Sequence, residues 1–419
     1  MSKAQRAVFP TSMLMVVVIL AFWVSSLSGM DGNNHTSTST SQTQTSQTHT
    51  YTTATGIMWL HTDETKILNT NNEEVIWNGI NSRSLFGYWI YGSGGRLDEL
   101  MSANDVPIIR SHGLNFIRVW ICLNQAVYAQ SMGTPTQINY NPRFWELLDE
   151  IVNAAEQNGM WVSIDFHLSS AGMANIGGFW GDGSGFPKWM YDGTWSYFNK
   201  IYTNDATGRS DAIRDFWNID DPTAANVRLA FQTFWKDIAQ HFKDKGNVVF
   251  SLFNEPMNKA GGPELWNTSA EWAHAAQMYQ TFIEQTIDII RAEDGGKHLV
   301  IVNEAYMWYY EWNLQIRRPN IVIENHGYWI GADMTSNVQS YTQLAWRYNQ
   351  PFELGEFGGV EQSGLQDRTS AIATMRACNQ LNVGWVYLWY NPSTSAGGIA
   401  PSAQTWTDIE NNLHPNLKY

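Results

Sequence analysis

The stretch Val248-Val249-Phe250-Ser251-Leu252-Phe253-Asn254-Glu255-Pro256 decides how this chain is read. Its first six residues are apolar except for Ser251, the pattern of a strand buried on both faces in a parallel sheet. The run ends on an Asn-Glu pair, and proline then blocks further ladder pairing. A carboxyl at such a strand end is costly to bury unless it is satisfied or used. Pro351-Phe352-Glu353-Leu354-Gly355-Glu356-Phe357-Gly358 repeats the design. Two strand ends that each carry a carboxylate suggest a pair built across a cleft.

Working outward, strand-like runs recur with helical stretches between them. They cover residues 75–81, 116–120, 161–167, 248–255, 298–304, 321–328, 352–357 and 384–390. Ile67–Asn69 and Glu74–Trp77 flank an Asn-rich turn and read as a hairpin that runs on into the first of these strands. Phe144–Gln157 places Leu147, Leu148, Ile151, Val152 and Ala155 on one helical face, and Asn158-Gly159 closes it. Asp221-Pro222 reads as an N-cap with proline at the first helical position, opening a helix to about Phe242. Trp272–Ile290 and Ser370–Gln380 are helical in pattern as well. Eight strands alternating with helices predict an α/β fold, a (β/α)8 TIM barrel over residues 56–419. A doubly wound sheet is the rival, but no glycine-rich phosphate loop follows the first strand.

The 419 residues are ample for one large barrel. Charged residues are only 15% while tryptophans number 21, which leaves aromatic surface for clefts. Lys and Arg total 25 against 39 Asp and Glu, a formal charge of −14. That balance excludes nucleic acid as the expected partner and suits a neutral polymer. Cys122 and Cys378 are too far apart for a zinc site and read as small buried hydrophobes, with a single bridge as the alternative in an exported chain. Histidines do not cluster at ligand spacing, so no metal is expected.

Lys3 and Arg6 precede an uncharged stretch, Ala7–Met30, with its apolar part at Met13–Val24. Residues 1–30 are therefore expected to be a signal peptide or an N-terminal membrane anchor. Residues 31–55, mostly Ser, Thr and Gln from Thr36 on, are expected to form a disordered linker. Fully extended, Thr36–Thr55 reaches roughly 65–70 Å. Both readings of the N-terminus place the barrel outside the cell, secreted or tethered to the outer face of the membrane. Asn34-His35-Thr36 and Asn267-Thr268-Ser269 fit the glycosylation pattern.

In a barrel of this kind the chemistry sits where strands end, and the polar residues gather there. Arg118 lies in the second strand; Asp165 and His167 finish the third on a shared face. Asn254 and Glu255 finish the fourth, Glu304 the fifth, His326 and Tyr328 the sixth, Glu356 the seventh and Trp389 the eighth. Packing alone accounts poorly for a ring of such groups around one mouth. Singly, most have a plainer reading. Arg118 alone would be a counter-ion, His167 a satisfied core histidine, and Trp389 a core side chain. Asp165 and Glu304 read as structural. Glu353 has the opposite parity to Glu356, so it is expected in the helix layer within a structural ion pair.

These motifs resemble glycoside hydrolase family 5, the large cellulase family of retaining glycosidases. The resemblance rests on Asn254-Glu255-Pro256, on Glu356 in Leu-Gly-Glu-Phe-Gly and on His326-Gly327-Tyr328. Arg118 in Ile-Arg-Val, His167 in Asp-Phe-His and Trp389 in Tyr-Leu-Trp extend it, from roughly Gly56 to the C-terminus. The resemblance implies Glu356 as nucleophile and Glu255 as acid/base, the two carboxyls about 5–5.5 Å apart for the retaining route. One must be protonated and the other ionised. Arg118 and the Tyr328 hydroxyl would favour charge on Glu356, and that charge would keep Glu255 protonated. His326 would hold Glu255, Asn254 would bond the sugar 2-hydroxyl, and His167 and Trp389 would contact the sugar. No cofactor is implied.

The expected activity is endo-hydrolysis of β-1,4-linked polysaccharide, with β-glucan as the first substrate, by a monomer. A β-mannanase, an exo-acting enzyme of the same family and a non-catalytic carbohydrate-binding surface protein are the rivals. The segment Leu168–Asp220 is long for a βα connection. Its aromatics, among them Trp180, Trp189, Trp195 and Trp217, are expected partly to pack and partly to stack on sugars. Trp308, Tyr309, Tyr310 and Trp312 are expected to border the mouth.

Overall fold

The computed structural model describes residues 59–82, 101–121, 133–167, 216–220, 222, 225–254, 256, 269–304, 314–331, 333–360, 365–390 and 401–417. Strands β1 (Leu60–Asp63) and β2 (Lys66–Asn69) pair antiparallel. The barrel strands follow as β3 (Asn78–Ser82) and β4 (Phe116–Ile121), then, after a two-residue pair β5 (Gly133–Thr134) and β6 (Gln137–Ile138), as β7 (Trp161–Phe166). The remainder are β8 (Val248–Ser251), β9 (Val300–Asn303), β10 (Ile321–His326), β11 (Phe352–Gly358) and β12 (Gly384–Tyr390). All eight are parallel to their neighbours, and β12 closes on β3. The described helices lie between these strands and after β12. They are α1 (Asp105–Ser111), α2 (Pro142–Gln157), α3 (Ala225–Phe242), α4 (Ser269–Asp294), α5 (Met334–Trp346), α6 (Arg368–Gln380) and α7 (Ala403–Glu410). The chain is a (β/α)8 TIM barrel.

Local chemistry explains where the helices begin and which face they bury. Asn141 caps α2 by accepting from the Arg143 amide at 3.0 Å, Pro142 occupies its first turn, and Gly159 leaves it at φ +64°. Asp333 and Asp367 cap α5 and α6 in the same way. The predicted apolar face of α2 is the buried one. Each such aliphatic side chain removed from water contributes about 1.5–3 kcal/mol.

Two apolar layers result. Side chains from the starts of the strands, with Trp77 stacked on Phe116 at 4.4 Å, form a plug at the N-terminal end of the barrel. Leu60, Ile67 and Val75 of the entry hairpin seal it. The larger cluster fills the space between strands and helices. At the opposite end the mouth is lined by polar groups and by a small apolar set of Trp120, Leu388 and Trp389.

The structure corrects four expectations. The hairpin has an additional arm, Leu60–Asp63, and its second predicted arm is reduced to one bridge, Leu68 to Glu74. The ladder of the fourth barrel strand stops at Ser251 rather than Glu255, because β9 pairs only with Phe250 and Ser251. Beyond it the Leu252 and Asn254 amides still bond to Ile301 and Phe166 carbonyls. The helix expected from Pro222 begins at Ala225, and its expected cap, Asp221, lies outside the described residues.

The fourth correction concerns Glu353, which does not face the helices. Residue 355 is a bulge in β11: Asn325 pairs with Leu354, and the next residue, His326, pairs with Glu356. An extra residue breaks strict alternation. Glu353, Gly355 and Glu356 consequently all turn toward the barrel interior. A Cβ on residue 355 would overlap the Glu324 carboxyl, so only glycine fits.

Cys378 is buried and free, and burial pushes its thiol up. Cys122 lies outside the described residues, as do residues 1–58 and the aromatics between Leu168 and Asp215.

Candidate active site

The guanidinium of Arg118 is the centre of the mouth and is fully buried. Its Nη1 donates to Glu356 Oε1 at 2.6 Å and to Asn81 Oδ1 at 3.0 Å. Its Nη2 donates to Asn254 Oδ1 at 2.8 Å, Glu324 Oε1 at 2.9 Å and Asp165 Oδ1 at 3.0 Å. One side chain on β4 thereby ties together the ends of β3, β7, β8, β10 and β11.

Glu356 accepts on both oxygens. Arg118 holds Oε1, and the Tyr328 hydroxyl donates to Oε2 at 2.7 Å. His326 Nδ1 stands 3.5 Å from the same Oε2. Its Nε2 is 3.1 Å from Glu324 Oε1 and 3.1 Å from Asn303 Nδ2. The Asn303 amide donates to Glu324 Oε1 at 2.6 Å.

A second arm runs to His167. Its Nδ1 lies 2.8 Å from Asp165 Oδ2, and its ring stacks on Trp120 at 3.8 Å. Trp120 Nε1 donates to Asn81 Oδ1 at 2.8 Å, and Asn81 Nδ2 donates to the Gly355 carbonyl at 2.9 Å. Trp389 is nearly buried and packs with Trp120 and Leu388, against the partly buried Tyr328 and Leu365. Glu304 Oε1 accepts from the Leu314 amide, a structural role.

Electrostatics sort the carboxyls. Against the cost of burial, Arg118 and His326 hold Glu324 down at about 2. Burial pushes Asp165 up to about 7 despite the pull of Arg118 and the hydrogen bond from Ser251. Burial and the charge of Glu324 push Glu353 well above the usual range. The expected ion pair for Glu353 is absent among the described residues, because the bulge places it beside another carboxyl instead of beside a base.

Seven of the eight candidate residues are described: Arg118, His167, Asn254, His326, Tyr328, Glu356 and Trp389. The structure gathers all seven around one mouth. Glu255 lies outside the described residues, as do the predicted contact of His326 with it and Trp308–Trp312. Trp217 is fully buried, so it packs rather than faces sugar. Sequence reasoning missed Asn81, Asn303 and Glu324. The signal for Glu324 is an acid two residues before His326 in an otherwise apolar run, which period-2 alternation puts on the same face.

The model of the cellulase family, glycosyl hydrolase family 5, matches residues 68–395. The chain belongs to this family. Endoglucanase 1 of Robillarda sp. is 25% identical over 190 residues, 40% of this chain and 45% of that protein. An endoglycoceramidase of Cyanea nozakii is 30% identical over 174 residues, 36% of this chain and 32% of that protein. The family 5 chain thus matches less than half the length of either relative. The crystal structure of an endogalactoceramidase, 19% identical, superposes with a TM-score of 0.59 over 84% of this chain and 78% of that one. At that identity the likeness bears on the fold.

Proposed function

We propose that the chain is a retaining endo-β-glycosidase in which Glu356 attacks the anomeric carbon and Glu255 serves as acid/base. The observation that carries this reading is the state of Glu356. A strand-end carboxyl with a cationic donor 2.6 Å from one oxygen and a phenol 2.7 Å from the other is oriented as an attacking anion must be. Asn254, the residue before Glu255, is fixed by its amide on Phe166 and by Arg118 on its side chain. Double displacement at two carboxyls needs no cofactor.

The first substrate reading is β-1,4-glucan, ahead of mannan and xyloglucan. The likeness to an endoglycoceramidase at 30% identity supports a second reading, cleavage of the glycan from a glycosphingolipid. Product release from a panel of these four substrate types separates the readings. Proton NMR of the first product should show the β-anomer; an inverted product contradicts the retaining pair. Glu356→Ala should leave no turnover above background on any of them.

The reading includes action outside the cell by a monomer, released or held by residues 1–30. The uncharged stretch there and the Ser/Thr/Gln-rich residues after it support export. Fractionation of expressing cells and light scattering test these two points.

A further inference from the structure

Beneath the candidate nucleophile two further carboxyls face each other inside the barrel. Glu324 on β10 and Glu353 on β11 are register partners on adjacent parallel strands, and both are fully buried. Gly355 opens the space into which the Glu324 carboxyl fits. Three oxygens in this pair, Glu324 Oε2 and both of Glu353, have no hydrogen-bond partner among the described residues. Buried polar atoms are rarely left so. Two apposed carboxylates in a low-dielectric interior cannot both be ionised, whereas one shared proton satisfies an oxygen on each.

The contacts decide where the proton resides. Glu324 Oε1 accepts from Arg118 and Asn303 and adjoins His326, the surroundings of an anion. Glu353 has no ion pair among the described residues: the Glu324 carboxyl is beside it, and of the more distant charges Arg118 favours its ionised form while Asp165 opposes it. Burial and the Glu324 charge favour its neutral form.

We propose that Glu353 keeps a proton which it donates to Glu324 Oε2, and that the anionic Glu324 so held is a positioning residue. It steers Arg118 and His326 toward Glu356. An anion beside Nε2 favours a proton there and holds the His326 ring, whose Nδ1 stands 3.5 Å from Glu356 Oε2. The same Arg118 nitrogen that Glu324 holds also donates to Asn254. The positioning role rests on the retaining-glycosidase reading; the shared proton does not.

Two substitutions of similar volume separate proton sharing from space filling. Glu353→Gln supplies an N–H donor to Glu324 Oε2, and Glu353→Met supplies none. Glu353→Gln should keep kcat within about twofold, and Glu353→Met should lose about tenfold in kcat with little change in KM. Equal kcat in the two folded variants overturns the proposal, as does a loss of about tenfold or more in folded Glu353→Gln. The second arm is an infrared difference spectrum of wild type minus Glu353→Gln at mildly alkaline pH. A protonated-carboxyl stretch present in wild type and lost in the variant is expected; a band that persists, or none in wild type, overturns the shared proton. If Glu353→Met does not fold, Glu324→Gln replaces it, with the same loss in kcat expected and full activity as the overturning result. Wild-type protein inactive on every glycan would sink the function proposed above, and the infrared arm would still decide the proton pair.

Discussion

Replacing Arg118 by methionine tests whether the mouth is held by charge or by packing. The guanidinium contacts Asp165, Glu324 and Glu356 at 3.0, 2.9 and 2.6 Å with no exposure of its own. Glu324 gives one measure of what is lost. Its carboxyl is held from 4.5 to about 2, with burial opposed by Arg118 and His326. Each unit corresponds to 1.36 kcal/mol, so the shift contributes about 3 kcal/mol at neutral pH. Removing one partner of a buried ion pair typically costs about 3–5 kcal/mol, which agrees. Against a total stability of about 5–15 kcal/mol this is a large fraction.

The pH dependence follows from the direction of the shift. Glu324 is depressed in the folded state, so its contribution is present above the unfolded value of 4.5 and is lost as pH falls toward about 2. In Arg118→Met the same carboxyl has lost its guanidinium and is raised by burial, so folding of the variant is helped by acid. The gap between wild type and variant should thus be about 3–5 kcal/mol at pH 7 and shrink by about 2 kcal/mol by pH 3. Urea unfolding followed by tryptophan fluorescence at several pH values measures it. A gap that stays constant from pH 7 to pH 3 would refute the electrostatic account.

Tyr328→Phe removes the 2.7 Å bond to Glu356 Oε2 and should lower kcat by about tenfold or more with a small change in KM, read from steady-state kinetics. Gly355→Ala forces a methyl into the Glu324 carboxyl and should cost about 1–3 kcal/mol of stability in urea titrations, along with activity; a neutral outcome would mean that β11 can shift. Cys378 should resist thiol reagents until the barrel opens, because burial raises its thiol and shields it; peptide mapping of labelled protein in native buffer and in urea reads this residue apart from Cys122.

The barrel is legible in the sequence because most of its strands are buried on both faces and stand out as largely apolar runs, although β3, Asn-Gly-Ile-Asn-Ser, does not. Leu60–Asp63 is illegible for the opposite reason: Leu-His-Thr-Asp has neither alternation nor an apolar run, and only the Lys66–Asn69 arm makes it a strand. Asn254, His326, Tyr328 and Glu356 are polar residues at or near strand ends, Arg118 is a charge within an otherwise apolar strand, and the structure brings them together. Glu353 reads wrongly because alternation assumes an unbroken ladder. The bulge at Gly355 is a property of the β10–β11 register, fixed by pairing between distant segments. Asn81 and Asn303 escape notice because an asparagine at a strand end looks like turn chemistry, although both hold the cluster in place.

The bonds that Arg118 makes join it to residues 37 to 238 positions away in the chain. None of them forms within a single βα unit, and the last needs β11 to be in place beside β10. During refolding, helices and early strand pairs can form long before that, since closing the longest loops carries the greatest entropic cost. The nucleophile acquires its cation only when the ring of strands is nearly shut. Regained activity is therefore a clock for barrel closure, and it should run behind the return of helical circular dichroism.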